Sequence, residues 1–178
     1  MPFAVELYMD SRADAAVREL WQSLFQAGIP SQPLSAGARP HISLCLYESL
    51  DPGLFRKKLE AFASQAAPLY FLLESVGSFP SADGVVFLAP HPSDPLLDLH
   101  RRFHKDFEGY VSTASRHYLP GYWKPHCTLA QKLSSDQVGQ AIAVCRRAAL
   151  PIRGQFTQIG LIEYRPIKEI CVFEFGRS

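Results

Sequence analysis

Two short stretches carry the same residue types in the same order: Arg39-Pro40-His41-Ile42-Ser43-Leu44 and Lys124-Pro125-His126-Cys127-Thr128-Leu129. Each reads basic–Pro–His–x–hydroxyl–Leu. Residues i and i+2 of a β-strand point to one face, so each histidine stands beside its own Ser or Thr. An imidazole, with an ordinary pKa of about 6.5, exchanges protons readily near neutral pH. Two of them on opposite sides of a phosphorus would let one accept a proton from water while the other protonates a departing oxygen. The hydroxyls of Ser43 and Thr128 would donate to the non-bridging oxygens, whose charge must be held during displacement. Nucleophile activation and leaving-group protonation are then both covered, and the chain lacks a carboxylate cluster suited to two-metal cleavage. No metal and no other cofactor is expected.

The elements that must position these residues form a repeat. Phe3 to Met9 alternates as a strand, and Val17, Leu20, Trp21, Leu24 and Phe25 form a helical stripe closed by Gly28. A loop over residues 29–38, rich in Ser, Pro and Gly, leads to a motif strand at His41 to Tyr47. Asp51-Pro52 then opens a helix with Leu54, Phe55, Leu59 and Phe62 inward. A hairpin follows, from Leu69 to Gly77 and Val85 to Ala89, with Pro80, Asp83 and Gly84 in its loop. The second half repeats the order. Asp94-Pro95 opens a helix with Leu96, Leu99, Phe103, Phe107 and Tyr110, and Pro120-Gly121 precedes the motif strand from His126. Ser134 or Ser135 caps a helix with Val138, Ile142 and Cys145, and the last hairpin runs from about Gln155 to Glu163 and Glu169 to Phe175. Gly77 and Gly160 hold matching places in the two hairpins, where a glycine suggests a bulge or a close backbone approach.

The expected fold class is therefore α+β: a duplicated α-β-α-β-β unit after one extra strand. Two antiparallel sheets, related by a pseudo-twofold axis, would have outer helices and a central groove flanked by the motif strands. One bilobal domain over residues 1–178 is expected, with repeat units at approximately 11–90 and 94–176.

Composition is that of an ordinary soluble globular protein, with a net charge of +1, which gives no grip on a bulk polyanion. Lys and Arg exceed Asp and Glu only in the second half. Cys45, Cys127, Cys145 and Cys171 lack metal-site or disulfide-framework spacing and read as buried free thiols. With no signal-peptide pattern and no apolar run near the ~20 residues of a membrane span, a cytoplasmic monomer without membrane partners is expected. His100 and His104, one helical turn apart, lack an apparent third ligand and read as surface or half-buried residues. Tyr122, Trp123 and Tyr47 flank the motif strands, where they could stack a base or pack the groove wall. Strict alternation would put Cys45 on the His41 face, Leu46 opposite it, and Gln131 opposite His126.

The paired H-x-[ST] motifs, the duplicated architecture and the length resemble the two-histidine phosphoesterase superfamily, which includes bacterial 2′-5′ RNA ligase-like proteins. The resemblance covers essentially the whole chain. It implies metal-free hydrolysis of 2′,3′-cyclic phosphates to 2′-phosphates, with a nucleotide or an RNA end bearing the cyclic phosphate as partner. By the same resemblance His41 is the acid towards the 3′ oxygen, His126 is the base for water, and Ser43 and Thr128 clasp the phosphate. RNA ligase-like members often carry Arg five residues after the second histidine, where this chain has Gln131. Lys124, Arg39 or Arg165 would then supply the cation. A binding module with little turnover and a 2′-5′ RNA ligase are the competing readings.

Overall fold

The computed structural model describes residues 2–30, 33, 37–80 and 83–176. Of the loop expected over residues 29–38, positions 31, 32 and 34–36 lie outside the described residues, as do 81 and 82 of the first hairpin loop.

Strand β1 (Phe3–Met9) leads into helix α1 (Ser11–Gln26), whose buried stripe is Ala13, Val17, Leu20, Trp21 and Leu24. The Asp10 carboxylate caps α1 by accepting from the Arg12 and Ala13 amides, and its other oxygen accepts from the Gln155 amide. Gly28, at φ +77°, ends the segment in the left-handed region that glycine adopts freely. Strand β2 (His41–Tyr47) is followed by α2 (Pro52–Ser64), capped by Asp51 with Pro at its first position. Phe55, Leu59 and Phe62 are buried as expected, but Leu54 points into solvent because it lies off the stripe they define.

β3 (Leu69–Ser78) and β4 (Val86–Pro90) form the first hairpin. Helix α3 (Asp94–Asp106) starts after Ser93, and two short 3₁₀ turns (Glu108–Thr113 and Arg116–Tyr118) lead towards the second motif. There β5 (Cys127–Ala130) begins one residue after His126. Helix α4 (Ser135–Cys145) has a reciprocal capping box between Ser134 and Gln137. β6 (Ile152–Glu163) and β7 (Lys168–Glu174) form the last hairpin.

The strands form one antiparallel network in the order β2-β1-β6-β3-β4-β5, with β7 also on β6. The two expected sheets are its halves, joined because β6 is long enough to serve both. One edge of β6 pairs with β1, while the other pairs first with β3 and then with β7. The repeats thereby exchange hairpins: β2 shares a half with β6-β7, and β5 with β3-β4. This exchange sets the two motif strands at opposite ends of the sheet order.

Register places a bulge in each motif strand. Val5 pairs with Cys45 but Glu6 with Ser43, leaving Leu44 as the extra residue; Val86 pairs with Ala130 but Phe87 with Thr128, leaving Leu129. An extra residue inverts the alternation beyond it. Cys45 is consequently buried in the core, and Leu46 turns to the groove in its place. All four cysteines are buried and free. Among the described residues, no helix is long and apolar enough to cross a membrane.

Candidate active site

The histidine pair and both motif hydroxyls line one groove of about 500 Å³. Each imidazole is oriented in the same way. His41 Nδ1–H donates to the Arg39 carbonyl at 2.7 Å, and His126 Nδ1–H donates to the Lys124 carbonyl at 2.7 Å. The basic–Pro–His order explains the match, since the carbonyl two residues upstream is the acceptor in both copies. With Nδ1 satisfied, Nε2 is the atom that each ring offers for proton transfer.

The strands beneath are fixed from behind by two indoles. Trp123 Nε1–H donates to the Ser43 carbonyl at 3.0 Å, and Trp21 Nε1–H donates to the Thr128 carbonyl at 3.1 Å. Among the described residues the Ser43 and Thr128 hydroxyls have no protein hydrogen-bond partner. They are available to a ligand.

What backs each histidine differs between the halves. Glu6, on β1, is only 4% exposed; its Oε1 lies 3.3 Å from His41 Nε2, and its Oε2 accepts from the Tyr8 hydroxyl at 2.9 Å. Burial raises the Glu6 pKa, opposed by His41, the Tyr8 hydrogen bond and Arg39. His126 instead meets the rings of Phe79 and Phe87, at centroid distances of 4.9 and 5.4 Å. Burial pushes its pKa below the usual value, the Lys124 carbonyl bond opposes this, and the nearby His41 lowers it further.

The matched glycines make room for these neighbours. A Cβ on Gly77 would stand 2.6 Å from the Phe87 ring, and one on Gly160 would stand 2.5 Å from the Tyr8 ring. Both positions serve close approach of an aromatic ring. The bulges lie elsewhere.

Several expected site residues fall outside the groove. Arg39 lies over the Tyr8 ring at 3.8 Å, bonds Gln158 at 2.6 Å and approaches Glu169 at 3.7 Å, so its charge is spent on β6 and β7. Lys124 contributes its carbonyl, and its side chain is absent from the lining. Tyr47 is buried edge-on against Phe55, which removes it as a stacking surface. Trp123 is stacked on His100, with centroids 3.9 Å apart, and Tyr122 is exposed beside Arg116. The groove is lined instead by Tyr118, Ile162, Tyr164, Pro166 and Ile167, with Lys132 and Arg165 as its cations. The bulge at Leu129 also brings Gln131 inward, against simple alternation.

His100, expected at or near the surface, is buried behind β2 with Nε2 bonded to the Tyr118 carbonyl at 2.8 Å. Burial and His104 push its pKa down to about 4. The folded protein holds His100 neutral, so stability is expected to fall with acid from about pH 6.5 to 4, as the unfolded chain binds the proton. At about 1.4 kcal/mol per pH unit the loss approaches 3 kcal/mol. Urea unfolding at pH 7 and pH 5 checks this, and His100→Phe should lose less on acidification than the parent.

The duplicated α+β scaffold, with two histidines and two hydroxyls lining one groove, is the arrangement that the two-histidine phosphoesterase resemblance implies. A family model described as the 2′-5′ RNA ligase superfamily matches residues 9–166, and the chain belongs to that family. A Bacillus pumilus protein named as a phosphoesterase is 29% identical over 80 residues, a match spanning 44% of this chain and 42% of that one. The chain thus covers less than half of that relative. Among solved structures, TT0787 of Thermus thermophilus superposes with a TM-score of 0.68 at 18% identity, covering 100% of both chains. Escherichia coli LigT complexed with NADP+ gives 0.60 at 13% identity, covering 98% of this chain and 97% of LigT. LigT complexed with 3′-AMP gives 0.57 at 13%, covering 98% of each.

Proposed function

We propose that the chain is a metal-independent phosphodiesterase that opens 2′,3′-cyclic phosphates on nucleotides or RNA ends to 2′-phosphates. The observation that carries this reading is the matched pair of imidazoles, each held through Nδ1 by an upstream carbonyl in a groove that also holds two unengaged hydroxyls. In the proposed step His126 Nε2 takes a proton from water as the water oxygen bonds to phosphorus. The P–O3′ bond breaks, and His41 Nε2–H gives its proton to the departing 3′ oxygen. Ser43 and Thr128 donate to the two non-bridging oxygens, where charge accumulates. Lys132 and Arg165 provide the positive rim, while Tyr164, Ile162, Pro166 and Ile167 offer an apolar wall suited to sugar or base. LigT, which shares the fold, holds nucleotides.

One chain supplies all four motif side chains, and β6 belongs to both halves of the sheet, so the reading takes the chain as one bilobal domain acting as a monomer. Four buried thiols suit a reducing compartment such as the cytoplasm. Purified protein is expected to hydrolyse 2′,3′-cyclic nucleotides in the presence of chelator, with phosphorus NMR showing the 2′-phosphate. Nucleotide binding without turnover across such a panel would replace this reading with that of a binding module. The rate should fall in acid as His126 is protonated, and because burial lowers its pKa the acid limb should have its midpoint below about 6.5. A kcat/KM profile from pH 4 to 9 measures it.

A further inference from the structure

The two halves repeat the histidine and the hydroxyl but not the residue beside them. Glu6 pairs in register with Ser43 on one side and Gly160 on the other; Phe87 pairs with Thr128 and Gly77. Glu6 and Phe87 therefore occupy equivalent positions under the pseudo-twofold. One half places a carboxylate 3.3 Å from the imidazole, and the other places a phenyl ring against it.

Glu6 is also costly where it stands. It is buried in a strand whose seven residues are all buried, and an unpartnered carboxylate there would be strongly disfavoured. Its two oxygens are turned to Tyr8 and His41. The contact to His41 is made at Nε2, the atom that faces the groove, because Nδ1 already donates to Arg39. The carboxylate thus does not select the ring tautomer from behind. It acts on the proton that would be transferred.

We propose that Glu6 is a positioning residue that keeps a proton on His41 Nε2, and thereby fixes which histidine gives a proton and which takes one. With both ring nitrogens protonated, His41 donates to the Arg39 carbonyl through Nδ1, while Nε2 stands in ion-pair contact with Glu6 and still faces the groove. His126, beside Phe79 and Phe87 with no carboxylate in the equivalent position, remains neutral and able to accept from water. The other groups facing the pair are Tyr8 on β1, Arg39 before β2, Tyr118 from the second 3₁₀ turn, Glu169 on β7, and His126 itself. The hold on His41 stands on geometry alone; the direction of proton flow rests on the phosphodiesterase reading above.

The test begins with the unaltered protein. In ¹⁵N–¹H spectra of the imidazoles near pH 7, His41 should show two protonated nitrogens and His126 one. A single protonated nitrogen on His41 would overturn the proposal. Glu6→Gln replaces the acceptor facing Nε2 with an amide donor while leaving an oxygen for Tyr8, and it should return His41 to one protonated nitrogen without altering His126. Tyr8→Phe disturbs the same buried contact but keeps the carboxylate, so it should leave the His41 proton in place. Loss of that proton in both variants would mean that general packing, not the carboxylate, holds it.

In turnover, Glu6→Gln should lower kcat about 10- to 100-fold on a cyclic nucleotide, whose leaving oxygen needs a proton, with KM little changed. On a nitrophenyl phosphodiester, whose leaving group departs without one, the loss should stay below about 3-fold. Equal losses on both substrates would count against the role. If the parent protein turns over neither substrate, the phosphodiesterase reading fails while the spectra still decide whether Glu6 holds the proton.

Discussion

His126→Ala is expected to lower kcat on a 2′,3′-cyclic nucleotide by about 10²- to 10⁴-fold, and His41→Ala by a similar factor, with KM changing far less. The loss corresponds to about 3–5 kcal/mol of transition-state stabilisation, at about 1.4 kcal/mol per decade. Both imidazoles point Nε2 at the groove from fixed backbone carbonyls, so each can engage the reacting oxygens without reorienting. The two losses should not have the same character. The base variant should lose activity on every substrate, while the acid variant should be partly relieved by a leaving group that needs no proton. The double variant should be little worse than the poorer single one, because a concerted pair fails when either member is missing. Steady-state kinetics on the parent, both single variants and the double variant measure all three points. Full activity in both single variants would remove the site.

How far the sequence could foresee this site depended on which interactions were local. The caps at Asp10, Asp51 and Ser134, and the turn at Gly28, are decided within a few residues, and they stand at or beside the expected boundaries. The H-x-hydroxyl spacing needs only an extended backbone, and the groove brings all four motif side chains together. What alternation could not show are the bulges at Leu44 and Leu129, which depend on pairing with β1 and β4. Those two extra residues send Cys45 into the core and bring Leu46 and Gln131 to the groove. The exchange of hairpins was equally hidden, since each hairpin is a local unit whichever half it joins. Tyr47 and Trp123 lie near the motifs in sequence but are taken up by the core. The cations of the groove, Lys132 and Arg165, stand just past a bulged strand and in a hairpin turn, and both have positive φ. One residue did leave a signal: Glu6 is the single charge in the otherwise apolar stretch Phe3-Ala4-Val5-Glu6-Leu7-Tyr8-Met9, where a buried carboxylate requires a partner.

The hydroxyls should prove nearly as important as the rings. Ser43→Ala and Thr128→Ala are each expected to lower kcat by about 10²- to 10³-fold, the range for losing one pre-placed donor to a developing oxyanion. Stability should be almost unaffected, because the indoles of Trp123 and Trp21 grip the backbone carbonyls of these residues, which alanine retains. Neither hydroxyl has a protein partner among the described residues, so its removal leaves no buried group unsatisfied. Thr128→Ser and Ser43→Thr keep the donor and should retain most activity. Kinetics together with urea unfolding separate the alternatives. A fall in kcat at unchanged stability, restored by the hydroxyl-bearing replacement, assigns the loss to the donor. If the alanine variants unfold in proportion to their loss of rate, the hydroxyls hold the strands and not the phosphate. The pseudo-twofold adds a condition: the two alanine variants should differ by less than either differs from the parent, because both donors stand two residues after equivalent histidines, each just before its strand's bulge.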